Sequence, residues 1–212
     1  MKFYLFIITL VYILLSCTPA PKELPVPLLE FKPGMIDKKL YKGKIKDGKH
    51  WKDKRGENVV ILTQTGVYWS NVYDATRGAK IFAYHFIKTA DNSFKEIWKI
   101  SEVVEACAFE VKLDFFYNSL SITDLDGDGM AEVGFILSKG CKSEPGPEEK
   151  KLVFYEGQNL YTIKGTTSVI KGSQKMGGEK VVEKRFEEEA PGEFLDFANK
   201  QWNKFGVSQA IK

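Results

Sequence analysis

The stretch Asp124-Leu125-Asp126-Gly127-Asp128-Gly129-Met130-Ala131-Glu132-Val133 decides how the rest of the chain is interpreted. Carboxylates stand at its relative positions 1, 3, 5 and 9, and a glycine stands at position 6. Oxygen ligands at this spacing suit a hard cation, and the glycine permits the sharp turn that brings them together. Because β-forming residues flank the stretch, from Ser119 to Thr123 and from Val133 to Leu137, it predicts a cation-binding loop between two strands.

The loop differs from a helix-flanked EF-hand at its twelfth position, which is Phe135 rather than a bidentate glutamate. It resembles the cation-binding β-hairpin loops of FG-GAP and integrin-type repeats, in which strands flank the ligands. The resemblance implies four side-chain ligands and one backbone carbonyl ligand: Asp124, Asp126, Asp128, Glu132, and the carbonyl of Met130. Ca²⁺ is the expected ion, because several protein oxygens converge on a flexible loop. The alternative is a polar hairpin turn, since Asp-Gly favours tight turns without an ion.

The first 16 residues predict a secretory leader. Lys2 provides a positive start, and the apolar run from Phe3 to Leu15 is shorter than the roughly 18 residues of a membrane span. The run ends in Leu14-Leu15-Ser16-Cys17, which looks like a bacterial lipobox. This resemblance implies that Cys17 carries lipid and holds the protein on a membrane. The alternative is a buried cysteine that follows an ordinary leader.

Residues after the leader predict the location and the domain organisation. Thr18 follows the cysteine in place of an aspartate, which favours the outer membrane of the cell envelope. Residues 17–34 are rich in proline and are expected to form an extended tether. Residues 35–212 are then expected to form a single β-rich domain.

The charge balance argues against a nucleic-acid binder. The chain has 31 Lys and Arg against 28 Asp and Glu, a formal net charge of +3. The basic residues are unevenly placed, because ten of them lie between Lys32 and Arg55, where three acids oppose them. One interpretation is an edge strand that charge keeps solvated. The other is a surface that meets anionic lipid or an acidic glycan.

Two cysteines, Cys107 and Cys141, remain once Cys17 is assigned to lipid. An even pair in an oxidising compartment predicts a disulfide, which contributes roughly 3–4 kcal/mol on the chain-entropy model. A catalytic thiol would need a base, and the histidines are His50 and His85. The pair is therefore interpreted as structural.

Short β-patterned runs separated by turn residues fill the region after the tether. They are 59–63, 80–87, 94–100, 120–123, 132–137, 151–155 and 160–164. Turn residues at 91–93 and 156–159 predict hairpins between consecutive runs. Because no βαβ rhythm occurs, we expect a mostly β fold with antiparallel sheets.

A faint internal repeat relates the two halves of this region. It pairs 56–62 with 129–137, 80–84 with 151–155 and 96–100 with 159–163. The alternative is chance similarity between β-rich segments. The repeat predicts two meanders, each like a propeller blade, packed as a sandwich or as one curved sheet.

The C-terminal end changes to a helical period. Apolar residues recur at Phe194, Phe197, Ala198, Trp202 and Phe205. Pro191 stands near the start of this pattern and Gly206 just past its end, as is typical of one α-helix. We expect its aromatic face to cover the sheet. A partner-binding groove or a membrane contact is the alternative.

Five features follow one another along the chain: Cys107, Ile122-Thr123-Asp124-Leu125-Asp126-Gly127-Asp128-Gly129, Cys141, Leu152-Val153-Phe154-Tyr155-Glu156-Gly157 and Phe194-Leu195-Asp196-Phe197-Ala198. This order resembles a family of small, largely uncharacterised bacterial lipoproteins. Some of its members are labelled surface polysaccharide biosynthesis proteins. The label is an association and does not define a mechanism.

Two classes of function remain, and whether the chain is an enzyme stays open. No nucleophile elbow, phosphate-binding glycine loop or dinucleotide fingerprint occurs in the sequence. The favoured class is a non-catalytic, Ca²⁺-stabilised cell-envelope lipoprotein that binds a glycan or a protein partner. The alternative is an accessory or catalytic factor in surface polysaccharide biosynthesis. The positions of four aromatic residues would distinguish the two classes: Trp51, Tyr68, Trp69 and Tyr73. Together on one open face they would favour a platform for sugar binding, whereas buried beside a carboxylate-lined cleft they would favour catalysis.

Overall fold

The structure is a computed structural model that describes residues 26–206. The predicted leader 1–16, the predicted lipidation site Cys17 and residues 18–25 of the predicted tether lie outside the described residues. Residues 207–212 also lie outside them. Of the helices within 26–206, none is long and apolar enough to cross a membrane.

Antiparallel strands dominate the described chain, followed by two α-helices. The strands are β1 (Leu28–Leu29), β2 (Lys44–Asp53), β3 (Gly56–Gln64), β4 (Tyr68–Trp69), β5 (Arg77–Lys88), β6 (Phe94–Cys107), β7 (Glu110–Phe115), β8 (Ser121–Thr123), β9 (Glu132–Lys142), β10 (Glu149–Glu156), β11 (Asn159–Thr166), β12 (Ser168–Lys171), β13 (Gln174–Gly177) and β14 (Lys180–Val182). The helices are α1 (Lys184–Glu188) and α2 (Gly192–Lys204), and short 3₁₀ turns cover Pro33–Met35 and Lys38–Leu40. Six of the seven β-patterned runs lie within strands, and the seventh, 120–123, begins one residue before β8. Helix α2 confirms the predicted helix.

Two sheets hold most of these strands. The first sheet has the order β1-β2-β3-β5-β6, with β4 pairing one end of β5. The second sheet has the order β14-β11-β10-β9-β7, with β8 pairing the other end of β9. β12 and β13 form a separate hairpin. Each sheet contains a meander, β3-β5-β6 in one and β9-β10-β11 in the other, which matches the predicted repeat.

The two sheets pack face to face as a sandwich. One buried cluster draws side chains from both sheets, including Val60, Ala83, Phe135 and Val153. The rings of Trp98 and Tyr155 stack across this core with centroids 4.2 Å apart. The predicted mostly β, antiparallel architecture is confirmed, and its form is a sandwich.

Further layers cover the outer faces of both sheets. α1 and α2 bury Phe186, Phe194 and Trp202 against the second sheet. On the first sheet, Ile36 and partly buried neighbours pack over Val59 and other buried residues. Because each sheet is buried on both faces, its central strands are apolar without strict alternation.

The predicted tether differs from the structure at its C-terminal end. Leu28 and Leu29 form β1 and pair with Trp51 and His50 on β2. The expected domain boundary at residue 35 therefore lies inside a packed region, because Leu28 and Leu29 join the sheet and Phe31 packs against a buried cluster. A two-residue strand between prolines carries too little pattern to be seen in the sequence.

The predicted disulfide is confirmed. Cys107 at the end of β6 bonds to Cys141 near the end of β9, with Cα atoms 5.6 Å apart. Cys107 is buried in the core between the sheets. The bond therefore joins the first sheet to the second.

Candidate cation site

The predicted ligand loop connects β8 to β9 and brings three of its carboxylates together. Oxygens of Asp124, Asp126 and Asp128 all lie within 4.8 Å of one another, so this group could hold a metal ion. Gly127 and Gly129 have φ angles of 71° and 84°, a left-handed conformation that side chains with a Cβ rarely adopt. The two glycines thus permit the tight turns of the loop.

Hydrogen bonds within the loop fix its carboxylates. The backbone N–H of Asp128 donates to Oδ1 of Asp126 at 3.2 Å, and the N–H of Met130 donates to Oδ1 of Asp128 at 2.6 Å. These are the side-chain-to-backbone turns that aspartate favours. Ligation by the Met130 carbonyl stays a prediction.

Asp124 is the most constrained member of this group. Asp124 is only 6% exposed to solvent. Its Oδ1 atom is buried and accepts no hydrogen bond from any residue in the described part of the chain. A buried carboxylate oxygen without a donor is costly, and a bound cation satisfies it directly.

A second carboxylate group shares Asp126 with the first. Oxygens of Asp126, Glu132 and Glu156 also lie within 4.8 Å of one another. Glu132 on β9 and Glu156 on β10 are direct cross-strand partners. Like charges placed directly opposite in a sheet are unfavourable, which is a further reason for a cation here. Glu156 is a candidate ligand that the sequence pattern missed.

Glu132 is completely buried at the base of the loop. Its Oε2 accepts hydrogen bonds from the hydroxyl of Thr123 at 2.7 Å and from the N–H of Leu125 at 3.1 Å. Burial raises the pKa of Glu132 to about 7, and repulsion from Asp126 and Asp124 raises it further. The hydrogen bonds from Thr123 and Leu125 act in the opposite direction but are outweighed. The predicted ligand Glu132 thus also holds the loop closed.

Two further carboxylates are less acidic than usual for similar reasons. Burial raises the pKa of Asp126, with repulsion from Asp128 and Asp124 acting in the same direction. Burial raises the pKa of Glu156, and repulsion from Asp126 and Asp128 adds to it, although Arg55 opposes the rise. An excess of negative charge is therefore concentrated in one place.

A second hairpin, from β2 to β3, supports the ligand loop. The N–H of Lys54 donates to the carbonyl of Gly129 at 2.8 Å, and the N–H of Ala131 donates to Oδ2 of Asp53 at 3.3 Å. Asp53 also accepts from the indole N–H of Trp51 at 3.0 Å and from the N–H of Arg55 at 2.8 Å. The turns that follow β2 and β8 thus meet at one corner of the sandwich.

His85 extends this polar network into the core. Its Nε2 donates to Oδ1 of Asn58 at 3.0 Å, and Asn58 donates in turn to Oδ1 of Asp53 at 3.0 Å. Burial lowers the pKa of His85 to about 3, and the charge of Arg55 contributes. His85 is therefore neutral at pH 7 and holds Asn58 in place.

The four aromatic residues considered as a sugar platform do not form one face. Trp51 is fully buried beside Asp53, whereas Trp69 is 72% exposed and Tyr73 is 69% exposed. Tyr68 is half-buried, and its hydroxyl donates to Glu105 at 2.8 Å. Trp69 and Tyr73 thus remain as the exposed members of that set.

The fold and the site define a class, an antiparallel β-sandwich with a candidate cation site at one corner. Comparisons with protein-family models, curated proteins and solved structures found no match to this chain.

Proposed function

We propose that this chain is a non-catalytic, lipid-anchored protein of the bacterial cell envelope that binds a glycan or a protein partner. One Ca²⁺ at the ligand loop stabilises its β-sandwich. The observation that supports the cation most strongly is the buried Oδ1 of Asp124, which has no donor within residues 26–206. The direct opposition of Glu132 and Glu156 supports it independently.

Calcium suits this arrangement better than magnesium. Ca²⁺ accepts six to eight oxygens in irregular geometry, whereas Mg²⁺ demands a near-ideal octahedron and keeps several of its waters. Two groups of three carboxylates meet at Asp126, Asp124 with Asp128 on one side and Glu132 with Glu156 on the other, so five carboxylates lie at this corner. Since strands β8, β9 and β10 all contribute to this corner, the ion would hold the edge of the second sheet together.

Thermal unfolding tests the cation. We expect a dissociation constant on the order of 10⁻⁴ to 10⁻³ M, as for other extracellular modules. Calcium at a hundred times that value should stabilise the fold by about 2.7 kcal/mol. Asp126→Ala should abolish the calcium-dependent rise in melting temperature, whereas Asp196→Asn, on the exposed side of α2, should retain it. Equal melting of the wild type in calcium and in chelator would refute the proposal.

The partner is proposed to bind at the loop between β4 and β5. Tyr73 lies on this loop and Trp69 lies just before it, at the end of β4. Both are rigid, amphipathic side chains of a kind common in binding surfaces. Beneath them, the N–H of Ser70 donates to the carbonyl of Thr76 at 2.8 Å, and the hydroxyl of Thr76 donates to the carbonyl of Tyr73 at 2.6 Å. Ala75 has a φ of 57°, unusual for alanine. The loop is thus held in one shape with its aromatic side chains outward.

A glycan array and a binding assay with isolated envelope polysaccharide test this surface. Trp69→Ala with Tyr73→Ala should weaken binding at least about 10-fold, because stacked aromatic side chains dominate such contacts. Tyr117→Ala is the matched control, since Tyr117 is 87% exposed on a different loop. If Tyr117→Ala weakens binding as much as the double variant does, Trp69 and Tyr73 are not the binding surface.

The catalytic alternative has less support. A cleft of about 410 Å³ includes Glu102 and Glu149 in its lining. Glu102 accepts from Lys151 at 2.9 Å and pairs with Lys139 at 3.5 Å. Burial acts to raise the pKa of Glu102, but the two lysines outweigh it and lower the pKa. A carboxylate held ionised by two lysines is poorly suited to donate a proton.

A further inference from the structure

A groove lined by basic and aromatic residues follows the outer edge of β2. Its volume is about 560 Å³. Its lining includes two aromatic rings, three lysines and one acid: Phe31, Tyr41, Lys38, Lys44, Lys46 and Asp47. We call this feature the basic groove.

Packing fixes the shape of the basic groove. The ring of Phe31 lies against the backbone of Gly48 so closely that a Cβ there would be 2.4 Å from the ring. The ammonium group of Lys38 donates to the carbonyl of Gly43 at 2.7 Å and lies 4.1 Å from the centre of the Tyr41 ring. One cation of the groove is therefore held in place rather than free in solvent.

The lysines around the groove carry little compensating negative charge. Lys46 pairs with Asp114 at 3.7 Å, but both side chains are about half exposed, so the pair is weak. Within residues 26–206, the ammonium groups of Lys39, Lys42 and Lys44 have no carboxylate oxygen within 4.0 Å. The groove and its surroundings thus present a net positive surface.

The length of the preceding chain places this surface near the proposed lipid. Only residues 17–25 separate the lipid at Cys17 from Val26, where the described chain begins. Fully extended, nine residues span at most about 30 Å. Phe31 and Pro33 already line the groove, so the groove cannot be far from the bilayer that holds the lipid.

Exposed leucines accompany the lysines. Leu28 on β1 is 57% exposed, and Leu40, beside Lys38 and Lys39, is 43% exposed. Basic side chains with interspersed apolar ones are the composition of surfaces that lie on anionic membranes. An acidic soluble glycan would pair with the lysines, but it has no acyl chains to contact the leucines.

We propose that the basic groove and its flanking lysines bind the phosphate-bearing headgroups of anionic lipids in the membrane that holds the anchor, and so orient the domain on that membrane. This inference rests on the proposed lipid anchor at Cys17. It is independent of calcium and of the partner.

Lysine labelling of the lipidated full-length protein tests the orientation without any substitution. The protein is reconstituted into phosphatidylcholine vesicles with or without about a quarter phosphatidylglycerol. It is then treated with an amine-reactive reagent and digested. Lys38, Lys44 and Lys46 should be protected only in the anionic vesicles, and about 0.5 M salt should remove the protection. Lys171 and Lys175, exposed on the β12–β13 hairpin, are internal controls.

A second experiment uses the mature chain with Cys17→Ser, so that the anchor does not dominate binding. Lys38→Gln, Lys44→Gln and Lys46→Gln together should weaken binding to the anionic vesicles about 100-fold, since each lysine near such a surface contributes roughly five-fold. The matched control combines Lys95→Gln, Lys171→Gln and Lys175→Gln, which carries the same change in net charge. Melting temperatures in the absence of vesicles verify that both triple variants are folded.

The outcomes separate this inference from the proposed function. If groove and control lysines react equally in anionic vesicles, or if both triple variants bind them equally, the inference is wrong. Binding of the unlipidated chain to a soluble polyuronate but not to vesicles would also overturn it, and would assign the surface to an acidic glycan. If Cys17 proves unmodified while the unlipidated chain still binds anionic vesicles through the groove, the proposed lipidation is refuted. The proposed binding of anionic lipid by the groove is then retained.

Discussion

Glu132 and Glu156 lie directly opposite each other on β9 and β10, with Asp126 close to both. Glu132 is buried and Glu156 half-buried, so water screens their repulsion poorly. Above the pKa of about 7 that burial gives Glu132, this arrangement weakens the corner of the sandwich unless a cation lies between the carboxylates. The effect of removing one charge should therefore depend on calcium.

Glu156→Gln should have opposite effects with and without the ion. In chelator at about pH 8, where Glu132 is ionised, it should stabilise the fold by up to about 1 kcal/mol, because a repulsive cross-strand pair is relieved. In calcium it should lower the affinity for the ion about 10-fold, because one ligand is lost. Chemical unfolding and titration calorimetry measure the two effects. Glu149→Gln is the control on the same strand, since Glu149 faces Lys139. An unchanged calcium affinity would remove Glu156 from the site.

Lys150 should make stability depend on pH at alkaline values. It is 2% exposed, donates to the carbonyl of Trp202 at 2.7 Å and lies over the Trp202 ring. Burial lowers the pKa of Lys150 from 10.5 to about 8. Between these values the unfolded chain binds a proton that the folded chain does not, so stability rises with pH across this range.

Comparison with Lys150→Met isolates this contribution. From pH 8 to pH 10.5, the free energy of unfolding of the wild type should rise by about 2 kcal/mol relative to the variant. Below pH 8 the difference should be constant. Urea unfolding at several pH values measures it. If the difference in unfolding free energy between wild type and Lys150→Met does not vary with pH, burial does not lower the pKa of Lys150.

The Cys107–Cys141 bond should contribute to stability by linking the two sheets. Cys107→Ala with Cys141→Ala should lower the free energy of unfolding by about 3 kcal/mol, measured by urea unfolding. Reducing agent should lower the melting temperature of the wild type and leave the double variant unchanged. If the reduced wild type melts as the oxidised form does, the bond is dispensable for stability.

Cys17 should carry lipid, because the leader ends in Leu14-Leu15-Ser16-Cys17. Protein isolated from bacterial membranes should begin at Cys17 and have the added mass of acyl chains. Cys17→Ser should abolish both the processing and the added mass. An unmodified Cys17 in the mature wild-type protein would contradict the anchor.

Local patterns in the sequence were sufficient for much of this fold. Runs of β-forming residues and the turn residues between them located the central strands, and helical periodicity located α2 with its buried Phe194 and Trp202. The spacing of Asp124, Asp126 and Asp128 was enough to predict that their oxygens converge. In each case residues within about a dozen positions of one another specify the structure, through dihedral preference or burial of one face.

Other features depended on contacts between distant segments. Glu156 enters the site only because the register of β9 and β10 places it opposite Glu132, and register is set by packing of the whole sheet. Asp53 supports the loop through Ala131, a residue 78 positions away. β1 exists only because β2 offers it an edge. The sequence by itself determined the central strands, the turns between them, α2 and the convergence of the first three carboxylates. Only the tertiary structure decided which further charges meet them, because long-range pairing leaves no periodic signal in the chain.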